Sequence, residues 1–276
     1  MPTAGDFYGR YDAVLAKWPV ACEGVDLPGR FGSTHVNVCG VAGGSPVVLI
    51  PGGRSTSAGW YANVGALAPV NRVHAVDIMG DAGRSIPAGA PMKARADLVC
   101  WIDGVLDGLA LDSSALCGHS YGAWIAAQYA IARPERVSRL VLIEPTDTLT
   151  GTRLPFRLHG IPLFLGHGQD RFRRFHQWET GGRPCDPEFL DLWAGESGPG
   201  RIVWPKRPRS AELTRLTMPV LVVTAGKTRQ NDPAALMAAA RRLPDARVVL
   251  LPDATHLTVP QGDPEQINRA LTEFLS

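Results

Sequence analysis

The chain has 276 residues, of which 45% are hydrophobic and 20% charged, so it can bury a full core without disulfides or a metal ion. A formal net charge of +2, with no strong basic block, argues against a nucleic-acid partner. The five cysteines are scattered and contain no C-x-x-C pair, which indicates reduced thiols rather than a disulfide framework or a zinc site. No signal peptide and no apolar run of membrane-spanning length are found in the sequence, and we expect a cytoplasmic protein without a membrane partner.

Strands and helices alternate along the chain. In chain order, the patterns predict a helix over 7–18, strands over 21–25, 34–39 and 46–50, a helix over 60–67, a strand over 72–77, a helix over 94–109, a strand and helix around 115–130, strands over 139–143, 220–224 and 247–251, and a helix over 266–275. Several strands are runs of Val, Leu and Ile without alternation, which is typical of strands covered on both faces. We therefore predict an α/β fold with a mostly parallel central sheet and helices on each side.

The pattern changes between residues 146 and 216. This span has no convincing buried strand and holds eight of the twenty aromatic residues. We interpret residues 147–216 as a helical cap inserted into a core formed by residues 1–146 and 217–276. The cap aromatics expected to line an apolar substrate pocket are Phe172, Phe175, Trp178 and Trp193. The alternative is an ordinary helical layer whose aromatics pack on the core.

The stretch from Gly118 to Gly122 reads Gly-His-Ser-Tyr-Gly, between a short apolar run and a helical pattern. Glycines two residues on either side of a serine suit a sharp strand-to-helix turn, because a side chain there would collide with neighbouring elements. Such a turn raises the Ser120 hydroxyl above the sheet and aims the Tyr121 N–H at a developing oxyanion. The alternative is a Gly-Ser turn without chemistry.

The order of motifs resembles the α/β-hydrolase superfamily over residues 20–147 and 216–276. The motifs are a Gly-Gly loop after one strand, an Asp-x-x-Gly turn after the next, the serine turn and a late Asp-Ala-Thr-His. This resemblance implies a Ser–acid–His triad in that chain order, with Ser120 as nucleophile and His256 as base. It also implies a second oxyanion donor from the Gly-Gly loop, the N–H of Arg54, or of Gly53 if the register slips by one.

The acid departs from the family's commonest pattern, in which an Asp follows three residues after the Gly that closes the penultimate strand. That Gly is Gly226 here, and Arg229 stands three residues on, where a cation cannot hold an imidazolium. Glu144 ends the strand after the serine helix, a placement that resembles zearalenone-type lactonases. We expect Glu144 to be the acid and Pro145 to hold it in an extended backbone. The alternatives for the acid are Asp232 and Asp147.

These residues predict a serine hydrolase that cleaves a carboxylic ester or lactone of a small apolar molecule through an acyl-enzyme. No phosphate loop, metal cluster or dinucleotide fingerprint is present in the sequence, so we expect no cofactor and no metal. The same constellation also serves thioester or C–C hydrolysis, acyl transfer and elimination or cyclisation in biosynthesis. A non-catalytic receptor that keeps the pocket is the alternative of a different class.

Overall fold

Nine strands form one sheet in the computed structural model, which describes residues 4–164, 169–195, 202–262 and 264–276. The strands are β1 (Cys22–Gly29), β2 (Gly32–Gly40), β3 (Ser45–Ile50), β4 (Asn71–Val76), β5 (Ile86–Pro87), β6 (Ser114–His119), β7 (Val137–Ile143), β8 (Val220–Ala225) and β9 (Ala246–Leu251). Their order is β1-β2-β4-β3-β6-β7-β8-β9, and the short β5 pairs with β2. The pairs of β2 with β1, β4 and β5 are antiparallel, and all pairs from β4 to β9 are parallel. The predicted α/β fold with a mostly parallel sheet is confirmed.

Helices connect the parallel strands, because each parallel pair needs a crossover, and two further helices, the first and the last in the chain, stand before the first strand and after the last strand. The helices are α1 (Ala4–Leu15), α2 (Val64–Leu67), α3 (Arg95–Gly108), α4 (Tyr121–Ala132), α5 (Leu154–Phe164), α6 (Gln169–Thr180), α7 (Pro187–Ala194), α8 (Ser210–Leu213), α9 (Pro233–Ala240) and α10 (Pro264–Leu275). Among the described helices, none combines the length and apolar composition required to cross a membrane.

The central strands of the sheet are buried on both faces. Alternate residues of β3 serve two separate cores, with Val48 and Ile50 in one and Val47 and Leu49 in the other. Helices α3 and α4 complete the first core, and α2 and α10 complete the second. This two-sided burial explains why the central strands read as continuous apolar runs.

The single helix predicted over 60–67 is wrong. The chain forms a 3₁₀ turn over Ser57–Trp60 and then the short α2, with Asn63 between them. The buried Asn63 amide donates to the carbonyl of Pro260 at 2.9 Å and to Asn268 Oδ1 at 2.8 Å. These bonds to distant segments hold a turn where the apolar spacing alone favours a helix.

Helices α5 to α8 lie between β7 and β8 in the chain. Buried side chains from α5, α6 and α7 form an apolar cluster of their own, and Leu257, which follows β9, packs against it. This segment therefore covers the edge of the sheet where the loop after β9 lies. We call residues 147–216 the cap segment; its boundary with the sheet domain stays a prediction.

Candidate active site

Ser120 lies at the turn between β6 and α4, in a backbone conformation that L-residues rarely adopt, with φ 55° and ψ −114°. A Cβ on Gly118 would lie 2.3 Å from the Gly122 carbonyl oxygen, and one on Gly122 would lie 2.2 Å from that of Ile50. Both positions exclude any side chain, for the reason the sequence indicated. The turn leaves the Ser120 hydroxyl facing a cavity.

His256 follows β9 and is 2% exposed. Its Nε2 lies 2.9 Å from Ser120 Oγ, a distance at which the hydroxyl donates to the imidazole. The His256 carbonyl accepts a hydrogen bond from His119 Nε2 at 2.9 Å. The Phe156 ring contacts the imidazole edge-to-face, with the two ring centres 5.3 Å apart. The ring of His256 is therefore held beside Ser120 from several directions.

Glu144 directly follows β7 and is fully buried. Its Oε2 lies 3.3 Å from His256 Nδ1, the nitrogen that faces away from Ser120. The same oxygen accepts the Thr228 hydroxyl at 2.7 Å, and Oε1 accepts the Thr224 hydroxyl at 3.0 Å and the Ala225 N–H at 2.8 Å. Donors from β8 and the loop after it thus compensate for burying the carboxylate.

The expected extended backbone at Glu144 is wrong, because its φ is 46°. The Glu144 N–H donates to the Val223 carbonyl at 2.9 Å, and the carboxylate is anchored to β8. These tertiary bonds offset a strain of about 1–3 kcal/mol and override the local preference set by Pro145.

The two alternative acids accept other donors. Asp232 is exposed and caps α9, where it accepts the Ala235 N–H at 3.1 Å. Asp147 accepts the Thr152 N–H and the Arg157 guanidinium, both at 2.8 Å. The Arg229 guanidinium lies 5.0 Å from the centre of the Trp178 ring. Of the three candidate acids, Glu144 is the one that the structure brings to His256.

The expected oxyanion donors differ in their surroundings. The Tyr121 N–H is the first of α4, a position without an intrahelical acceptor. The Arg54 N–H donates to Asp81 Oδ2 at 2.8 Å, so the expectation that Arg54 supplies the second donor is wrong. Gly53, the alternative one residue earlier, lines the cavity in front of Ser120. Burial raises the pKa of Asp81, and the N–H groups of Arg54 and Ala82 act against that rise.

A cavity of about 420 Å³ lies in front of Ser120. Its large apolar lining residues include Phe156, Leu163, Phe175, Trp193, Ile202 and Trp204. Arg54, Asp81, Asp147 and Arg157 add charged groups to its wall. The cavity suits a small, mostly apolar molecule that carries few polar groups.

Of the four predicted cap aromatics, Phe175 and Trp193 line this cavity. The other two lie outside this lining, and their contact with a substrate stays a prediction. Phe172 is buried behind the lining, with its ring edge-to-face on Trp193 at 5.1 Å and the Arg54 guanidinium 4.6 Å from its centre. Trp178 stacks on His159 at 3.9 Å instead. Helical spacing places all four on cap helices, but it does not separate the lining rings from those behind them.

A second, smaller cavity of about 50 Å³ also reaches Ser120 and His256. Ser55, His176 and Gln261 line it together with Trp193, which borders both cavities. Ser120 and His256 therefore border two cavities of unequal size.

His119 is buried beside the site, with its ring centre 5.2 Å from that of His256. Burial lowers the pKa of His119 to about 3, and the neighbouring His256 adds to this effect. The His119 imidazole is therefore neutral at pH 7, and its Nε2–H is the donor to the His256 carbonyl.

Sequence reasoning missed several groups around the triad positions. The Thr146 hydroxyl lies 3.1 Å from Ser120 Oγ and accepts Gln230 Nε2 at 2.5 Å. Thr228 and Phe156 also contact the site. A signal existed for Thr146, which follows Glu144 by two residues at the same strand end. None existed for Thr228 or Phe156, because the contacts join segments far apart in the chain.

The model of the alpha/beta hydrolase family matches residues 47–270. Carboxylesterase YbfK of Bacillus subtilis (strain 168) is 28% identical, over 98% of this chain and 93% of the relative. The uncharacterized carboxylesterase nap of the same organism is 26% identical, over 98% of this chain and 92% of that relative. The crystal structure of naproxen esterase (carboxylesterase NP) from Bacillus subtilis superposes with a TM-score of 0.89 and 27% identity, over 100% of this chain and 99% of that chain. The chain belongs to the alpha/beta hydrolase family.

Proposed function

We propose that this protein is a carboxylesterase that hydrolyses an apolar ester through a Ser120–His256–Glu144 triad. The observation that carries the proposal is the line of contacts from Ser120 Oγ to His256 Nε2 at 2.9 Å and from His256 Nδ1 to Glu144 Oε2 at 3.3 Å. A line of this kind beneath an apolar cavity is the arrangement that acyl transfer to water requires.

In the first step, Ser120 Oγ attacks the ester carbonyl carbon while His256 Nε2 takes the hydroxyl proton. The Glu144 carboxylate stabilises the imidazolium and keeps the proton on Nδ1. Collapse of the tetrahedral intermediate breaks the bond to the alcohol, which leaves with the proton from Nε2. His256 then deprotonates a water that attacks the acyl-enzyme, and a second collapse releases the acid and restores the Ser120 hydroxyl.

The oxyanion that forms in both halves needs donors that are in place beforehand. We assign this role to the N–H groups of Tyr121 and Gly53. The assignment rests on the position of Tyr121 at the start of α4 and on Gly53 in the cavity wall, with the Arg54 N–H already bonded to Asp81.

The names of the relatives support ester hydrolysis, since YbfK and nap are both named carboxylesterases and each matches nearly the full length of this chain. The unequal cavities support an ester whose larger part fills the 420 Å³ compartment and whose smaller part points to the 50 Å³ compartment. We propose residues 147–216 as the cap that supplies most of the larger compartment.

A lactone is the second candidate substrate, because the position of Glu144 resembles that in zearalenone-type lactonases. A lactone differs from an open ester in that its alcohol stays attached to the acyl-enzyme. Comparing kcat/KM for open-chain esters and for lactones of equal carbon number separates the two candidates.

The test is covalent labelling of Ser120 by a fluorophosphonate, together with turnover of p-nitrophenyl esters. Ser120→Ala should abolish labelling and lower turnover to about a thousandth of the parent or less, since oxyanion and binding effects alone give about 10³–10⁴ over the uncatalysed reaction. A wild-type protein that binds esters in the cavity without labelling or turnover would be the non-catalytic receptor, and the proposal would fail.

A further inference from the structure

A buried carboxylate from the cap segment contacts the loop that carries His256. Glu179 lies on α6 and is 1% exposed. Its Oε1 accepts the His256 N–H at 3.0 Å, and its Oε2 accepts the Leu257 N–H at 3.1 Å and the Thr255 hydroxyl at 2.8 Å. Three consecutive residues of the loop therefore donate to one side chain.

Burying a carboxylate costs several kcal/mol unless hydrogen bonds compensate. Here all three donors belong to residues 255–257, so the carboxylate is satisfied only while the loop keeps this backbone path. The bond between Glu179 and the loop is consequently specific for one conformation, unlike the apolar contacts around it.

The main chain at His256 is fixed from two sides. Glu179 accepts its N–H, and His119 Nε2 donates to its carbonyl at 2.9 Å. Fixing both neighbouring peptide groups leaves the imidazole little freedom beyond its own side-chain torsions. A shift of the loop would lengthen the 2.9 Å contact between His256 Nε2 and Ser120 Oγ.

The helix that supplies Glu179 also supplies part of the cavity. Phe175 lies four residues earlier, on the same buried face of α6, and lines the larger compartment. One rigid helix therefore contacts both the substrate space and the loop of the base. This arrangement differs from a cap that only shapes the pocket.

We propose that Glu179 is a positioning residue through which the cap segment sets the orientation of His256. The inference rests on the proposed function in that His256 is taken as the general base. Glu179 contacts the Thr255 hydroxyl and the main chain of the loop and touches no reacting atom.

The central variant is Glu179→Gln, which keeps the size of the side chain but places an amide nitrogen against one of the backbone donors. We expect kcat to fall about a hundredfold, the size of loss that a misplaced catalytic group produces, with KM nearly unchanged. The rate of Ser120 labelling by a small fluorophosphonate should fall in parallel. Glu188→Gln is the matched control, because Glu188 is an exposed glutamate of the cap segment that pairs with Lys17.

A second pair of variants distinguishes a loss of positioning from a loss of folding in Glu179→Gln. Thr255→Val removes one donor to Glu179 and should lower kcat, whereas Thr255→Ser keeps the hydroxyl and should have nearly the wild-type kcat. Urea unfolding of each variant measures stability, and the loss of kcat should persist under conditions where all variants are fully folded. A purely structural role would lower stability in Glu179→Gln and Thr255→Val without this split between kcat and KM.

Amide hydrogen exchange gives a measurement that does not depend on turnover. Exchange of the His256 and Leu257 amides should be faster in Glu179→Gln than in Glu188→Gln or the wild type. Unchanged exchange, or a Glu179→Gln enzyme with wild-type kcat, would overturn the inference. A wild-type protein that neither hydrolyses esters nor labels at Ser120 would instead refute the proposed function, while the exchange result would still report on Glu179.

Discussion

Replacing Glu144 by glutamine tests the acid of the proposed triad, and the structure fixes how the new amide must sit. Glu144 Oε1 accepts the Ala225 N–H at 2.8 Å, a backbone donor that cannot reverse its role. The glutamine oxygen must therefore keep this position, and its NH₂ group must take the place of Oε2. That nitrogen would lie about 3.3 Å from His256 Nδ1 and would donate to it.

An imidazole that accepts at Nδ1 carries its proton on Nε2, where it can no longer take the proton of Ser120. The same wrong tautomer lowers kcat about 10⁴-fold in serine proteases, which corresponds to about 5.4 kcal/mol of transition-state stabilisation. The effect on folding should be smaller. Thr228 can rotate its hydroxyl to accept, while Asn231 Nδ2, 3.5 Å from Oε2, would face a second donor at a cost of about 1–3 kcal/mol.

The assay is kcat/KM for a p-nitrophenyl ester, with stability measured in parallel by urea unfolding. Asp232→Asn is the control, since that exposed side chain caps α9 and asparagine caps equally well. If Glu144→Gln kept more than roughly a tenth of the wild-type rate, the tautomer argument would be refuted. A large loss in Asp232→Asn would move the acid to the loop after β8.

Three further outcomes are expected. Phe175→Ala should change the ratio of kcat/KM for long-chain over short-chain esters by about tenfold or more, whereas Trp178→Ala, outside the larger cavity, should leave the ratio unaltered. Burial lowers the pKa of His119 to about 3 in the folded protein, so as pH falls below about 6.5 this histidine binds a proton in the unfolded chain first, and the free energy of unfolding should drop by up to about 1.4 kcal/mol per pH unit. His119→Asn should reduce this pH dependence, measured by urea unfolding at pH 7 and pH 5. An unchanged pH dependence would contradict the argument. Gly122→Ala should destabilise the fold by about 3 kcal/mol or more, because its Cβ would lie 2.2 Å from the Ile50 carbonyl oxygen. Gly104→Ala in α3 has open space around its Cβ and should stabilise the fold by about 1 kcal/mol. Equal effects of the two variants in urea unfolding would contradict the steric explanation.

The serine turn and the histidine loop could be predicted because their signals are local. Gly118 and Gly122 mark a strand-to-helix turn within five residues, and His256 lies in the loop after the last strand. Glu144 could be expected from its place at a strand end, since neighbouring parallel strands bring their carboxyl ends to the same edge. The backbone conformation of Glu144 could not, because bonds to β8 override the preference set by the following proline.

Other parts of the site depend on contacts that the chain order does not reveal. The Arg54 N–H is taken by Asp81, 27 residues further on, so the donor register could not be chosen from the Gly-Gly loop alone. The sequence also contains a signal for Glu179. A glutamate on the same helical face as Phe172 and Phe175 is a charge among buried positions, and such a residue needs a partner.

Backbone strain is concentrated around the proposed site. Within the described part of the chain, five non-glycine residues have positive φ, and only Ala110 lies away from the cavity and the triad positions; the other four are Arg54, Ser120, Glu144 and Asp147. Because this conformation costs about 1–3 kcal/mol at each such residue, catalytic geometry and resistance to heat oppose each other here. Ser120→Gly, which removes the side chain that makes φ 55° unfavourable, should raise the melting temperature by roughly 2–4 °C per kcal/mol gained. A laboratory selection for thermal resistance alone would therefore enrich inactive proteins at this position, so any such selection has to be coupled to ester turnover.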